Sequence, residues 1–358
     1  MRENLEYFAE RGLTVPVLLG GAALTRDYVS QTCVPAYPAP VLYAEDAFEG
    51  LRHLEALRSG EVPTVLGEAE GGITILRRGE AGLPLTPTGR SSWVRPAERI
   101  PDPPFWGVRE VDLGLEDLFA HLDTFVVLRN RWSFTQGALT DEAFEAVLRT
   151  EAEPRLEAWK ARLRAEALIA PRAHCGYFPV RAEGDGLAIY DPDRRTLRAT
   201  LRLPRQATGR RLCIADFFTE GRWDVLGVLG VTLGEAAAET AAGLYRADRY
   251  GDYFLFHGLA TELTEAGAEA VHARMRRDLG IHHRDAAQLR QLFAQGYQGS
   301  RYAFGYPACP DLEGNRTLLD LLEGSTLGVE LTETFQMVPE FTTTALVLHH
   351  PQARYFAV

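Results

Sequence analysis

GSRYAFGYPACPD, residues 299–311, sets one guanidinium, two tyrosines and two prolines into thirteen positions. Pro307 and Pro310 carry no backbone donor and fix φ, and each pushes the residue before it toward extended geometry. The stretch therefore reads as an extended, exposed ribbon, neither helix nor ordinary strand. Gly299 and Gly305 lack a Cβ, so a ligand or a neighbouring segment can approach the peptide groups there. Arg301 offers a planar fork suited to a carboxylate or phosphate. Tyr302, Phe304 and Tyr306 add aromatic surface, with a polar tip on each tyrosine. In an arbitrary loop the same residues would be structural, Arg301 pairing with a local acid and the aromatics covering a core edge.

Working outward, the 358 residues suffice for two domains, and 46% hydrophobic with 24% charged residues is the balance of a globular protein. A formal charge of −11 disfavours nucleic acid as a partner and is compatible with a cationic ligand or a basic protein. Cys33, Cys175, Cys213 and Cys309 form no C-x-x-C pair and read as reduced thiols of a cytoplasmic protein. Cys309 lies in the ribbon but has no helix start or basic cluster to activate it, so it reads as packing. The nine histidines show no metal-ligand spacing, and no metal site is expected. No signal-peptide core and no run of 18 apolar residues occurs, so neither secretion nor a membrane is expected.

Toward the start, residues 2–12 have helical spacing. VPVLLGG (15–21) and APVLYAEDA (39–47) read as buried parallel strands, with helices from Thr25 to about Thr32 and from Ala47 to Arg58. This is the closing part of a doubly wound α/β domain, and too few strands are present to complete one. Gly20 and Gly21 are not a G-x-G-x-x-G fingerprint. Residues 59–95 are rich in glycine and proline and read as a linker, with one strand-like run, ITILRR. From about residue 96 to 358 the pattern is α+β. GYFPV, LAIYD, TLRATLRLP, RLCIADFF, WDVLGVLGVTLG and the closing TTTALVLHH read as strands of a twisted antiparallel sheet, with helices around it. Helices are expected at 115–121, in one or two pieces over 139–169 interrupted near Pro154, and almost unbroken over 235–279. Asp123 suits a helix cap.

RYAFGYPACPD resembles the R-x-x-x-G-Y-P-A-C-P signature of the activation domain of cobalamin-dependent methionine synthase. LLGGAALT and VLYAEDA resemble the end of that family's cobalamin-binding domain. The resemblance implies a remnant of the cobalamin domain over 1–58 and an S-adenosylmethionine-binding activation domain over 96–358. It implies that Asp123, Arg301, Ala303, Tyr306, Tyr355 and Phe356 contact S-adenosylmethionine, that Tyr306 stands nearest the reacting methyl, and that Gly20, Gly21, Ala22 and Ala47 line a cobalamin cleft. It further implies reductive methylation of cob(II)alamin, with a flavodoxin-like electron donor and a cobalamin-bearing domain or subunit as partners. The sequence departs from the family in several respects, the residues before the ribbon among them. It has no D-x-H-x-x-G motif for the lower-ligand histidine, it has VPEF at 338–341 where W-P-G-A is common, and it has phenylalanine at 356 where tyrosine is frequent. The alternative is a non-catalytic module that binds S-adenosylmethionine or docks onto a separate cobalamin protein.

Overall fold

The structure is a computed structural model and describes residues 2–20, 24, 28–44, 53, 57, 82–137 and 139–358. The chain divides into two compact units, Met1–Gly79 and Glu80–Val358. In the first, helix α1 (Arg2–Glu10) accompanies strands β1 (Val17–Gly20) and β2 (Val41–Ala44), which pair in parallel with Val17 opposite Val41. Leu5, Val29, Cys33, Tyr37, Val41 and Tyr43 form its core. The strand expected at ITILRR and most of the helix expected over 47–58 lie outside the described residues.

The second unit is built on seven strands: β3 (Gly107–Val111), β4 (Arg172–Glu183), β5 (Gly186–Tyr190), β6 (Leu197–Arg202), β7 (Asp224–Thr232), β8 (Ser300–Tyr302) and, past a small hairpin of β9 (Glu330–Leu331) and β10 (Met337–Val338), β11 (Thr342–Leu348). All pairings are antiparallel, in the order β6-β5-β4-β7-β11-β8, and β3 shares one edge of the long β4 with β5. The expected antiparallel α+β architecture is present.

Strand periodicity explains why β4 and β7 are buried almost throughout. Successive residues point to opposite faces, and here both faces are covered. Cys175, Tyr177, Val225, Leu229 and Val231 join one core, under helices α2 (Leu115–Ala120), α3 (Glu153–Ala165), α4 (Glu235–Arg246) and α5 (Tyr250–Asp278). Phe178, Val180, Leu226 and Val228 join the other, with Phe217, Tyr302 and helix α6 (Gly314–Leu321). Trp159 and Leu163 are core residues, as their spacing indicates. The 29-residue α5 lies close on the sheet because Gly267 presents no side chain there. A Cβ at that position would stand 2.8 Å from Val231 and 3.0 Å from Leu118.

Two local expectations are corrected. Ile214–Phe217, read as strand, is a 3₁₀ turn. Asp216 accepts the Cys213 amide at 2.9 Å and is gripped by Arg205 at 2.7 and 2.8 Å, so a side chain supplies the hydrogen bond that a neighbouring strand would have supplied. Residues 82–95, read as part of the linker, pack within the second unit. Arg90 is buried and donates to the carbonyls of Ala215 at 2.7 Å and Phe218 at 2.6 Å.

Candidate functional site

The ribbon begins as a strand and ends as a turn. Ser300–Tyr302 pairs with β11, Tyr302 opposite Leu346 and Arg301 opposite Val347. Beyond it the Cys309 amide donates to the Tyr306 carbonyl at 2.9 Å and closes a tight turn around Pro307 and Ala308. The expectation of an exposed ribbon is corrected. Tyr302, Phe304, Ala308 and Cys309 are buried, whereas Tyr306 is 48% exposed. Alternation explains the difference at the strand: Tyr302 points into the core shared with Phe217, and Arg301 points to the opposite face, toward α5.

Between that face and α5 lies a cavity of about 330 Å³. Asp123, Arg301, Ala303, Tyr306 and Tyr355 all line it, brought together from positions as far apart as 123 and 355. Asp123 also caps the turn that follows it, its Oδ1 accepting the Val126 amide at 3.1 Å. Tyr355 is half exposed, and its amide donates to Gln295 Oε1 at 3.2 Å. Burial, with Cys309 and Tyr306 nearby, pushes the Tyr355 phenol up to about 12, so it is protonated at neutral pH. Cys309 donates to the Ala303 carbonyl at 3.0 Å, and burial pushes its thiol up to about 12. It braces the turn as an unreactive packing group.

Phe356 does not join the cavity. It is buried on the far side, its ring centroid 5.9 Å from that of Tyr302 and 6.2 Å from that of Phe217. Tyr355 and Phe356 are consecutive in an extended segment, so one faces the cavity and the other the core.

Sequence reasoning missed the acidic wall. Glu262, Glu265 and Glu269 occupy positions i, i+3 and i+7 of α5 and line the cavity together. Glu262 Oε1 accepts Arg131 Nε at 2.7 Å, and burial holds its carboxyl above the ordinary carboxylate range despite that partner. Glu269 pairs with Arg301 through Oε2, and Glu265 stands 3.5 Å from Arg301 Nη2. Burial works against the charge on Arg301, but Glu269 and Glu265 more than offset it and raise its pKa.

Behind the wall, His272 is fully buried, edge-on to Tyr297 at 5.1 Å between ring centroids. Burial first, then Arg276 and Arg301, hold it well below its ordinary 6.5. The folded state then refuses a proton that the unfolded chain accepts below pH 6.5, so stability is lost as pH falls through that value. Between pH 6.5 and 5.5 the unfolding free energy of the wild type should fall more steeply than that of His272→Phe, by up to about 1.4 kcal/mol per pH unit. Urea unfolding at several pH values checks this, and parallel profiles would refute it.

Of the residues expected to meet cobalamin, Gly21, Ala22 and Ala47 lie outside the described residues. Gly20 has a sufficient local reason to be glycine, because a Cβ there would stand 2.9 Å from the Ala44 carbonyl oxygen on the paired strand.

Sheet, helix and cavity together define a domain with a small cavity, lined by charged side chains, against one face of an antiparallel sheet. Residues 140–358 match the family described as the vitamin B12 dependent methionine synthase activation domain, and the chain belongs to that family. Methionine synthase of Mycobacterium tuberculosis is 38% identical over 398 aligned residues, and that of Mycobacterium leprae is 36% identical over 402; each alignment covers 100% of this chain and 33% of the relative. The chain thus spans about a third of the length of these relatives. A crystal structure of the MetH reactivation domain bound to AdoHcy superposes with a TM-score of 0.66 at 29% identity, covering 72% of this chain and 83% of that one. Arg301, Ala303, Tyr306 and Tyr355 fall within the family match, and Asp123 precedes it.

Proposed function

We propose that this chain binds S-adenosylmethionine in the cavity and presents the sulfonium methyl to cobalamin carried by a partner domain or subunit, with a flavodoxin-like protein as electron donor. The observation that carries this is the pattern of charge. One guanidinium fork stands among Asp123, Glu262, Glu265 and Glu269, and S-adenosylmethionine carries one carboxylate beside two cationic groups, an ammonium and a sulfonium. Arg301 takes the carboxylate, the acids of α5 and Asp123 take the cations, and the Ala303 backbone meets the adenine. The likeness to a reactivation domain bound to AdoHcy supports the reading, since that compound is what S-adenosylmethionine becomes on losing its methyl.

The sulfonium is a good leaving group and reduced cobalamin a strong nucleophile, so the hard chemistry belongs to the two small molecules. The chain's own work is to hold the methyl in line and keep water from it. Tyr306, half exposed among the lining residues, stands where a partner must approach. Burial and the nearby Glu265 keep its phenol protonated, so it offers an aromatic face and a neutral donor.

Calorimetric titration of S-adenosylmethionine into the purified chain tests the reading. Saturable binding at one site is expected, and absence of heat from a folded sample would overturn it.

A further inference from the structure

Arg276 sits one layer behind the cavity wall. Its side chain is 1% exposed and is engaged on three sides. Nη1 and Nη2 both donate to Glu269 Oε1 at 3.2 Å, Nε donates to Asp285 at 2.9 and 3.1 Å, and the guanidinium carbon lies 4.2 Å from the centre of the Tyr297 ring. Glu269 and Tyr297 line the cavity, and Glu269 has its other oxygen on Arg301. The charges alternate along a line from Asp285 through Arg276 and Glu269 to Arg301.

A buried guanidinium between two carboxylates can be read as structural alone. Two features argue for more. First, Glu269 has one oxygen assigned to each arginine, so the grip of Arg276 fixes the plane of the carboxylate that Arg301 must meet. Second, Arg301 keeps only the loose 3.5 Å contact to Glu265 on its Nη2 side, which leaves that part of the fork to offer to an incoming anion. We propose that Arg276 is a positioning residue for the ligand's carboxylate, acting through Glu269 to hold the fork of Arg301 at the angle that carboxylate requires. This rests on the reading of the cavity as an S-adenosylmethionine site.

The test compares S-adenosylmethionine with its decarboxylated analogue, which keeps the adenosine, sulfonium and ammonium but gives Arg301 nothing to bind. Arg276→Lys retains the charge but cannot grip two carboxylates with a planar fork. It should weaken S-adenosylmethionine about tenfold, the size of one charge-assisted hydrogen bond, and leave the analogue within about twofold. Asp285→Asn, at a partly exposed position, removes one anchor of Arg276 without stranding a buried charge, and should give a smaller loss of the same selectivity. In an Arg301→Ala background, Arg276→Lys should add nothing. Equal weakening of both ligands would show a merely structural role and overturn the inference, as would no weakening of either; if Arg276→Lys fails to fold, Asp285→Asn decides by the same criterion. Failure of the wild type to bind S-adenosylmethionine is a separate result, which overturns the ligand assignment itself.

Discussion

Arg301→Ala should lower affinity for S-adenosylmethionine by about a hundredfold or more while leaving the chain folded. Two charge-assisted hydrogen bonds to a carboxylate contribute roughly 1.5–3 kcal/mol each, and losing both exceeds the 2.7 kcal/mol or so that a hundredfold represents. The loss is compounded by what remains, because without its guanidinium the cavity presents Asp123, Glu262, Glu265 and Glu269 to a ligand carboxylate. The fold should survive, since Glu269 keeps its bonds to Arg276 and the Arg301 side chain is itself 24% exposed. Arg301→Lys should fall between, retaining a point charge without the fork. Calorimetry beside a thermal melt reads both quantities. Binding within twofold of the wild type in a folded Arg301→Ala protein would show that the carboxylate lies elsewhere.

The parts of this molecule that could be read from sequence are those in which one residue's chemistry dominates its neighbours. Apolar runs marked β4, β7 and β11, because strands buried on both faces carry few polar positions, and alternation marked β6, an edge strand with most of its residues exposed. Arg301 stood out because a fork between glycines and prolines has few bland uses. The acids of α5 did not stand out. Glu262, Glu265 and Glu269 have the spacing of a solvated helix face, and only the tertiary fold reveals that this face closes a cavity.

Two further misreadings share a cause. Ile214–Phe217 is as apolar as a strand, yet one aspartate with two arginines against it supplies the hydrogen bonds for a turn. Arg90 lies in a glycine- and proline-rich stretch that looks like linker, and it is anchored by carbonyls more than a hundred residues away. In both places polar contacts override local composition, at Asp216 with the nearby Cys213 amide and with Arg205, and at Arg90 with carbonyls that no local window of sequence contains. Tyr355 and Phe356 are different, because period-two alternation was enough to separate them once the segment was known to be extended.

Gly299→Ala should be the most damaging single-methyl change in the ribbon. The residue has φ +88°, and a Cβ there would stand 2.2 Å from the carbonyl oxygen of Leu348, a backbone atom that cannot swing aside. Left-handed backbone costs an alanine roughly 1–2 kcal/mol, and a forced backbone shift in a packed site roughly 1–3 kcal/mol more. Leu348 is the β11 partner of Ser300, so the strain is relieved only if β8 moves off β11. Arg301, next along and opposite Val347, moves with it. The expected result is an unfolding free energy lower by roughly 2–5 kcal/mol together with a loss of S-adenosylmethionine affinity beyond tenfold. Gly305→Ala provides the contrast. Its φ of +90° carries the same backbone cost, but its Cβ meets only the Leu312 side chain, at 2.7 Å, and a leucine tip can turn away. That variant should lose stability by no more than about 2 kcal/mol and keep Arg301 in place. Urea unfolding and calorimetry on the pair separate the cases. Equal losses in both would mean that strain in the ribbon, rather than the seating of β8 on β11, governs where the guanidinium stands.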